Sequence, residues 1–384
     1  MFRTYNKCYN TNDFRLLAKQ NIPSPIFHYI DGAADDEVTC RRNTESYDKC
    51  DLIPNVLRGV KDVDTSVELL GKRINIPLFF SPTALQRIFH YKGERAVGRV
   101  AEKFNTFFGV SSLGTVSIEE IGKKYNCPKL FQLYIHKDQG LNDSMIEKCI
   151  EYNFDAIAVT VDTIVGGNRE RDLRTGFTSP PSLNFKSLMS FVSHPSWTAN
   201  YLMREKFSLP QLQDYVKEGT NINMSIGDYF TKMLDQDITW NTIEKISNKW
   251  NKPLCIKGIM SVEDAKKAID VGASAIMISN HGGRQLDGSR SPFDQLSEIV
   301  DSVGGKVEII CDGGIRRGTH VLKALSLGAT ACSGGRMYLY ALAGAGEQGV
   351  ERAMDLMAEE IKRGMKLMGC KSLNDLGNEN IRFR

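Results

Sequence analysis

No run of 18 apolar residues occurs in this chain, so no bilayer-spanning helix is expected. Charge of one sign is not in excess: 49 Lys and Arg stand against 46 Asp and Glu, a formal net charge of +3. The two signs are interspersed, which leaves no basic stripe for nucleic acid. The nine cysteines are odd in number and never form a CxxC pair. A disulfide framework or a metal site is therefore not expected, and the thiols read as buried and reduced, in a reducing compartment. Low-complexity segments are absent. The opening residues MFRTYNKCYN lack the apolar core of a signal peptide. Histidine is scarce, at six, so the setting of each one is informative.

What is present is an ordinary globular composition, 41% hydrophobic and 25% charged over 384 residues. Eight short apolar runs recur, each ending in polar residues or glycine. They are IPLFFSP (76–82), FFGVSS (107–112), LFQLY (130–134), AIAVTVD (156–162), LCIKG (254–258), AIMISN (275–280), EIICDGG (308–314) and ACSGGR (331–336). Their length and β-branched content suit buried parallel strands. Amphipathic segments such as KGERAVGRVAEKF (92–104) and SVEDAKKAIDVG (261–272) lie between most of them. Alternating strands and helices in eight units predict an α/β chain folded as a (β/α)8 TIM barrel. AIDVGA (268–273) and ALSLGA (324–329) share the form AxxxGA, each expected to end a helix at a glycine cap before a strand.

The organisation follows. The chain reads as one domain, 1–384: an N-terminal extension at 1–75, a barrel at 76–345, and a C-terminal helix and tail at 346–384. The extension is expected to carry a helix from Asp13 and another across FHYIDGAADDEVTCRRN (27–43). About 90 residues separate the fourth strand from the fifth, far more than one crossover helix such as TWNTIEKISNKW (239–250) needs. The excess, 164–238, is a long insertion on the face where barrel active sites lie.

Barrel chemistry sits at the C-terminal ends of strands. Those ends carry Pro82, Thr83 and Ala84; Ser111; Gln132 and Tyr134; Thr160 and Asp162; Lys257; Ser279 and His281; Asp312, Gly314 and Arg316; Gly335 and Arg336. Glycines with arginines after the last two strands are what a barrel phosphate site requires, although glycine also serves simple tight turns. Lys257 closes an apolar strand and needs a partner for its charge. A phosphate cradle, a lysine and several amide-type hydrogen bonders suit a phosphate-bearing redox cofactor such as FMN.

In ISNHGGRQLDGSRSPF (278–293), histidine and arginine stand among glycines. His281 suits acid–base work near neutral pH, and Arg284 suits a carboxylate. Asp162, on a nearby strand end, suits a partner that orients the imidazole and stabilises its protonated form. The alternative is an ordinary polar loop. His28, His90, His136, His194 and His320 lack such context and read as surface or packing residues. GAGEQG (344–349) matches GxGxxG, but no strand precedes it and none is expected after it, so no dinucleotide site is inferred. It reads as a break before the helix VERAMDLMAEEIKRGMKLMG (350–369).

SNHGGRQLDG, with SPTAL, FQLY, TVDT, IKGI, DGGIRRGT and GGR in order, resembles the FMN-dependent L-2-hydroxy acid oxidases and dehydrogenases. That family includes glycolate oxidase, mandelate dehydrogenase and bacterial L-lactate dehydrogenase. The resemblance covers nearly the whole chain, and FHYIDGAADDEVTCRRN with HPSW (194–197) looks most like the bacterial L-lactate dehydrogenases. It implies oxidation of lactate or a similar small L-2-hydroxy acid to the 2-oxo acid. His281 is then the base and Asp162 its support; Arg169 and Arg284 hold the carboxylate with Tyr29; Tyr134 bonds near the hydroxyl. The flavin ring falls to residues 82–84, Ser111, Gln132, Thr160, Lys257 and Ser279, and its phosphate and ribityl chain to Asp312, Gly314, Arg316, Gly335 and Arg336.

The resemblance also implies a homotetramer in the cytoplasm. Ile164 and Val165 follow TVDT where relatives often carry proline, and Leu113 replaces a bulky aromatic of glycolate oxidase. Both places are expected to line the substrate end, so the acid's side chain stays open. Ala84 resembles the oxidases, which leaves the acceptor open between a quinone, another carrier and oxygen. A soluble oxidase, a flavin-dependent isomerase and a flavin-binding sensor without turnover are the alternatives. The stretch 183–207 mixes large apolar residues with Lys186, Arg204 and Lys206. It is expected either to lie on the cytoplasmic face of the inner membrane, near a quinone, or to pack on the barrel and a neighbouring subunit.

Overall fold

The computed structural model describes residues 4–177, 184–213 and 232–384. The extension begins with α1 (Thr11–Asn21), whose N-cap Asn10 accepts from Asp13 N. It continues through α2 (Ser24–Asp31) and α3 (Val38–Glu45). The single helix expected across 27–43 is thus two helices. The intervening backbone bonds to the barrel mouth: Ala34 N donates to Gly283 O and Asp35 N to Asn168 O, each at 2.9 Å. Asp35 and Glu37 take positive φ, 44° and 58°, which ends helical geometry there.

Three short strands follow: β1 (Cys50–Leu52), β2 (Val67–Leu69) and β3 (Lys72–Ile74). The eight apolar runs then form β4 (Leu78–Thr83), β5 (Phe108–Ser111), β6 (Lys129–Tyr134), β7 (Ala156–Thr160), β8 (Leu254–Ile259), β9 (Ala275–Ser279), β10 (Glu308–Asp312) and β11 (Ala331–Gly334). They are parallel and close in sequence order, β11 pairing with β4 through Cys332–Leu78, Ser333–Phe79 and Gly334–Phe80.

Helices α4 (Gln86–Phe89) and α5 (Glu94–Phe104) follow β4, α6 (Ile118–Lys124) follows β5, and α7 (Gln139–Glu151) follows β6. Between β7 and β8 lie α8 (Glu170–Thr175), α9 (Phe185–Val192), α10 (Pro195–Met203) and α11 (Trp240–Trp250). The long excursion after the fourth barrel strand is therefore present. Trp197 Nε1 ties it down by donating to Ile88 O at 2.8 Å. The remaining helices are α12 (Val262–Asp270), α13 (Pro292–Val303), α14 (Gly318–Ser326) and α15 (Arg336–Met368). The two AxxxGA segments cap α12 and α14 as expected. Gly272 and Gly328 have φ of 78° and 98°, and Ala273 N and Ala329 N reach back to Ala268 O and Ala324 O.

The GxGxxG segment lies inside α15, where Ala345 and Gly346 leave helical geometry. Gly346 has φ 58°, and a Cβ there would meet the His90 ring at 2.6 Å. The break is real and no βαβ unit surrounds it. One expectation is corrected: a strand does follow, β12 (Ile381–Phe383), but it pairs antiparallel with β1 rather than in a dinucleotide-binding sheet.

Alternating strand residues divide the core. One set, including Phe80, Val110, Phe131 and Val159, packs with the helices. The other, Phe79, Leu130, Ala156, Ala158, Ala275, Met277 and Ile310, fills the barrel interior together with Phe107 and with Leu69, Leu70 and Ile74 of the β2–β3 hairpin. The hairpin plugs the end away from the chemistry, and Leu70 N donates to Glu308 Oε2 at 2.7 Å. The small interior alanines leave room that the plug helps to fill. Leu69→Ala is therefore expected to destabilise the fold by about 2–5 kcal/mol in urea unfolding while leaving the opposite, catalytic end intact. A wild-type midpoint would show that the plug is not part of the core.

Candidate active site

The strand ends are laced together by side chains. Across β5, β6 and β7, Ser111 Oγ donates to Gln132 Oε1 and Gln132 Nε2 to Thr160 Oγ1, both at 2.9 Å. Across the other five strands, Lys257 Nζ donates to Ser279 Oγ at 2.9 Å, and Ser279 Oγ to Asp312 Oδ2 at 2.7 Å. Asp312 Oδ1 accepts from Ser333 Oγ at 2.5 Å and from Ser81 Oγ at 3.0 Å. All eight strands contribute one member each. Lys257 also lies 3.2 Å from Asp312. Burial works against the Lys257 ammonium, but Asp312 and Asp162 outweigh it and hold its affinity for the proton above the ordinary value.

Above this ring opens a cavity of about 990 Å³, its mouth included. Tyr29, Pro82, Thr83, Ala84, Tyr134, Arg169, Lys257, His281, Arg284, Asp312, Gly314, Arg316, Gly335 and Arg336 line it. Asp162, Ser111, Gln132, Thr160 and Ser279 do not; they stand behind that lining and act through hydrogen bonds. Phe89, Leu339, Ser81 and Ser333 also line the cavity, and the strand-end reading missed them. The serines were detectable as hydroxyls inside otherwise apolar buried strands; Phe89 and Leu339 come from helices and left no signal. Leu113 lines the cavity as expected, whereas Ile164 and Val165 do not. Those two are 43% and 50% exposed, because the chain after Asp162 turns outward, where Gln285 Nε2 bonds Val165 O at 2.7 Å. The other five histidines lie outside the cavity.

His281 Nδ1 lies 3.0 Å from Asp162 Oδ1. A carboxylate only accepts, so Nδ1 carries the proton and the Nε2 lone pair faces outward, 3.4 Å from the Tyr134 hydroxyl. Burial pushes the His281 imidazole below its ordinary range against the upward pull of Asp162. The imidazole is therefore neutral at neutral pH and able to take a proton. Burial alone would raise Asp162, but its attraction to His281, whose Nδ1 proton it accepts, and to the Lys257 ammonium keeps it below the usual carboxylate range. Gly258 makes the close approach feasible: its φ is 112°, and a Cβ there would sit 2.7 Å from Asp162 Cβ.

Five cationic side chains, Arg169, Lys257, Arg284, Arg316 and Arg336, line the cavity beside a single carboxylate, Asp312. Arg284 and Arg169 stand over the Tyr29 ring, 4.8 and 5.9 Å from its centre. Burial and the nearby Arg169 lower Arg284 to about 10, still charged at neutral pH. Arg284 Nη1 donates to Tyr29 O and Gly32 O at 2.7 and 3.0 Å. Arg336 donates to Ile30 O, Gly282 O and Gly32 O at 2.9, 2.8 and 2.7 Å. Among the described residues, the Arg316 guanidinium bonds only the carbonyl of Ile315, at 2.8 Å. Burial lowers its affinity for the proton.

The residues suit a phosphorylated cofactor. Arg316 offers unmatched positive charge, and α15 begins at Arg336 with its N-terminal N–H groups toward the cavity. At Gly335 a Cβ would find nothing nearer than 3.6 Å, so the backbone there is open to a ligand. Among the described residues no cluster of His, Cys, Asp and Glu could hold a metal ion.

The sequence model of the FMN-dependent dehydrogenases matches residues 18–383. An L-lactate dehydrogenase of Vibrio parahaemolyticus is 36% identical over 372 residues, 97% of this chain and 98% of that protein. An L-lactate oxidase of Nostoc sp. is 36% identical over 377 residues, 96% of each chain. Among solved structures, the monotopic membrane protein (S)-mandelate dehydrogenase superposes with a TM-score of 0.91 at 30% identity, covering 98% of this chain and 100% of that one.

The electrostatics of the pair are testable without turnover. Because burial lowers His281, the unfolded chain takes up this proton first as pH falls through the ordinary imidazole value, and the neutral buried form is retained further into acid. In protein labelled at histidine, His281, identified by its absence from His281→Gln, is expected to titrate below 6.5. In Asp162→Asn it should titrate lower still, because the carboxylate's upward pull is gone. A titration unmoved by Asp162→Asn would mean that the two groups do not interact.

Proposed function

The chain belongs to the family of FMN-dependent dehydrogenases, and on that premise we propose that it oxidises a small L-2-hydroxy acid, lactate foremost, to the 2-oxo acid. The observation that carries this reading is one arrangement: a neutral imidazole backed by Asp162 faces two guanidiniums, Arg169 and Arg284, across the same cavity. The guanidiniums suit the substrate carboxylate, with the Tyr29 ring packed beneath them. With the acid so held, its C2 substituents fall toward His281 Nε2 and the Tyr134 hydroxyl. His281 then takes the proton released on oxidation, and Asp162 stabilises the imidazolium. FMN, when bound, accepts the two electrons and passes them on.

The FMN phosphate suits Arg316, the Gly335 backbone and the start of α15, and Arg336 adds positive charge there. The ribityl chain suits Asp312 and Gly314. Lys257 offers its ammonium to negative charge on the ring, with residues 82–84 beside it; Ser111, Gln132, Thr160 and Ser279 hold that surface from behind. The (S)-mandelate enzyme shares the architecture, but the lactate-named relatives at 36% identity favour the smaller acid. Leu113, Ala84 and Phe89 are the side chains available to meet its substituent.

The insertion supports a membrane-facing acceptor. On α9, Phe185, Leu188, Met189 and Val192 form one stripe at i, i+3, i+4 and i+7, and all four point to solvent, Phe185 at 77% exposure. Leu202 and Met203 continue the patch at 73% and 83%, with Lys186, Arg204 and Lys206 around it. No helix among the described residues is long and apolar enough to cross a membrane. An exposed apolar stripe with basic neighbours suits burial in the headgroup layer. We read residues 183–207, of which 183 lies outside the described residues, as a peripheral membrane contact that delivers electrons to a quinone. A homotetramer is compatible with this reading.

Two sets of experiments test this reading. Acid should release FMN from the purified yellow protein. His281→Gln should keep that FMN yet slow its anaerobic reduction by about 10²–10⁴, the usual loss when a general base is removed, and Arg284→Lys should lose affinity for 2-hydroxy acids because an ammonium cannot replace the planar fork. Reduction of His281→Gln at the wild-type rate would remove His281 from the reaction. In the second test, the protein should co-sediment with anionic liposomes and its reduced flavin should pass electrons to a quinone faster than to oxygen. Replacing 183–207 by a polar linker should abolish the sedimentation. A protein that stays in the supernatant and reoxidises as fast with oxygen is an oxidase without this membrane contact.

A further inference from the structure

His281 has φ 55°, a left-handed conformation that side chains with a Cβ rarely adopt. Something must hold it there. The residue before it closes the turn twice, around His281 and Gly282: Gly283 N donates to the Asn280 backbone carbonyl at 3.0 Å and to Asn280 Oδ1 at 3.1 Å. That same amide is filled by partners from elsewhere. Its Nδ2 donates to Arg290 O at 3.0 Å and to Asn43 Oδ1 at 2.7 Å, and its Oδ1 accepts from Asn43 Nδ2 at 2.8 Å. Both side chains are buried, and the four bonding positions of the Asn280 amide are all used. Without Asn43, a buried N–H and a buried carbonyl oxygen would each lose a partner, and the amide would be held only by the Arg290 carbonyl and the Gly283 N–H.

Asn43 is near the end of α3, in the N-terminal extension, and α3 is itself fixed at both ends. Val38 N and Thr39 N donate to the Asp287 carboxylate at 3.2 and 2.7 Å. Thr44 Oγ1 donates to Gly314 O at 3.3 Å. The Asn43 carbonyl presses on Gly314 so closely that a Cβ there would lie 1.8 Å from it. Asn43 therefore meets the turn that carries the base on one side and the glycines of the phosphate cradle on the other. Among the described residues its amide hydrogen-bonds to the first of these, while Nδ2 also lies beside Gly313, 3.6 Å from where a Cβ would stand.

We propose that Asn43 is a positioning residue for His281: its paired amide bonds with Asn280 keep the turn left-handed and so aim the imidazole at Asp162 and the cavity. The proposal rests on the reading of His281 as the proton acceptor. Small misplacements of a reacting group are costly to rate, whereas substrate affinity comes from Arg169 and Arg284, which Asn43 does not touch.

The test uses the FMN-loaded enzyme and two variants. Asn43→Ala removes the whole amide; Asn43→Asp keeps its volume and acceptor but loses the Nδ2 donor. Flavin reduction is followed anaerobically, per bound FMN, with whichever L-2-hydroxy acid reduces wild type fastest, across substrate concentration and pH. Both variants are expected to retain FMN and wild-type half-saturation, to reduce about 10- to 100-fold more slowly at saturation, and to shift the acidic limb of the pH profile. Reduction at the wild-type rate with an unmoved limb would overturn the proposal. So would a loss explained wholly by weaker substrate binding, or loss of FMN from both variants, which would assign Asn43 to the cradle. His281→Gln, run alongside, separates the two levels: a wild-type rate there refutes the proposed function itself, whereas a slow His281→Gln with normal Asn43 variants refutes only this inference.

Discussion

Among the described residues, five positive side chains converge on one cavity whose lining holds a single carboxylate. Gathering like charge in a partly buried space is unfavourable unless dipoles and counter-charges answer it. Much of the structure around the barrel mouth supplies that answer. Arg284 and Arg336 take main-chain carbonyls of residues 29, 30, 32 and 282. Asp312 answers Lys257. What is left over, chiefly at Arg316, is charge available to an anion brought in by a ligand, and Arg169 and Arg284 line the same cavity at its other end.

This demand explains the extension. Apart from that of Gly282, the carbonyls that answer Arg284 and Arg336 belong to the end of α2 and the stretch after it. They can face the cavity only because the helix stops at Asp31. The stretch is held by ions of its own: Asp31 accepts from Arg15, from Tyr340 at 2.8 Å and from Arg171 at 2.8 Å. α3 then returns to the barrel and presses Asn43 between the strand-six and strand-seven ends. The extension is thus one wall of the site, and the β2–β3 hairpin closes the barrel from the other end.

The barrel was legible in the sequence because its signals are local. Each strand is a short apolar run, each end a change of composition, and the AxxxGA segments place their glycines where left-handed caps stand. His281, Asp162, Arg284 and the glycine–arginine pairs stood out for the same reason. What was not legible depends on distant partners. The α2–α3 break is imposed by Gly283 and Asn168, far along the chain, and nothing in FHYIDGAADDEVTCRRN marks it beyond Gly32. Ile164 and Val165 follow a catalytic-looking segment, yet Gln285 turns their backbone outward. Phe89 and Leu339 reach the cavity from helices whose register only the folded barrel sets. Asn43 ends FHYIDGAADDEVTCRRN with no local mark of its own; its proposed role exists only opposite Asn280.

The central claim is that one cavity holds a carboxylate by guanidiniums, presents the adjacent carbon to a neutral histidine, and hands its electrons to FMN. Anaerobic mixing of the purified yellow protein with the L and D forms of lactate tests all three parts at once. The account predicts that L-lactate bleaches the flavin's visible absorbance with one equivalent of pyruvate formed per flavin, and that D-lactate leaves it unchanged. Bleaching by both forms alike, or by neither while other L-2-hydroxy acids also fail, would contradict it.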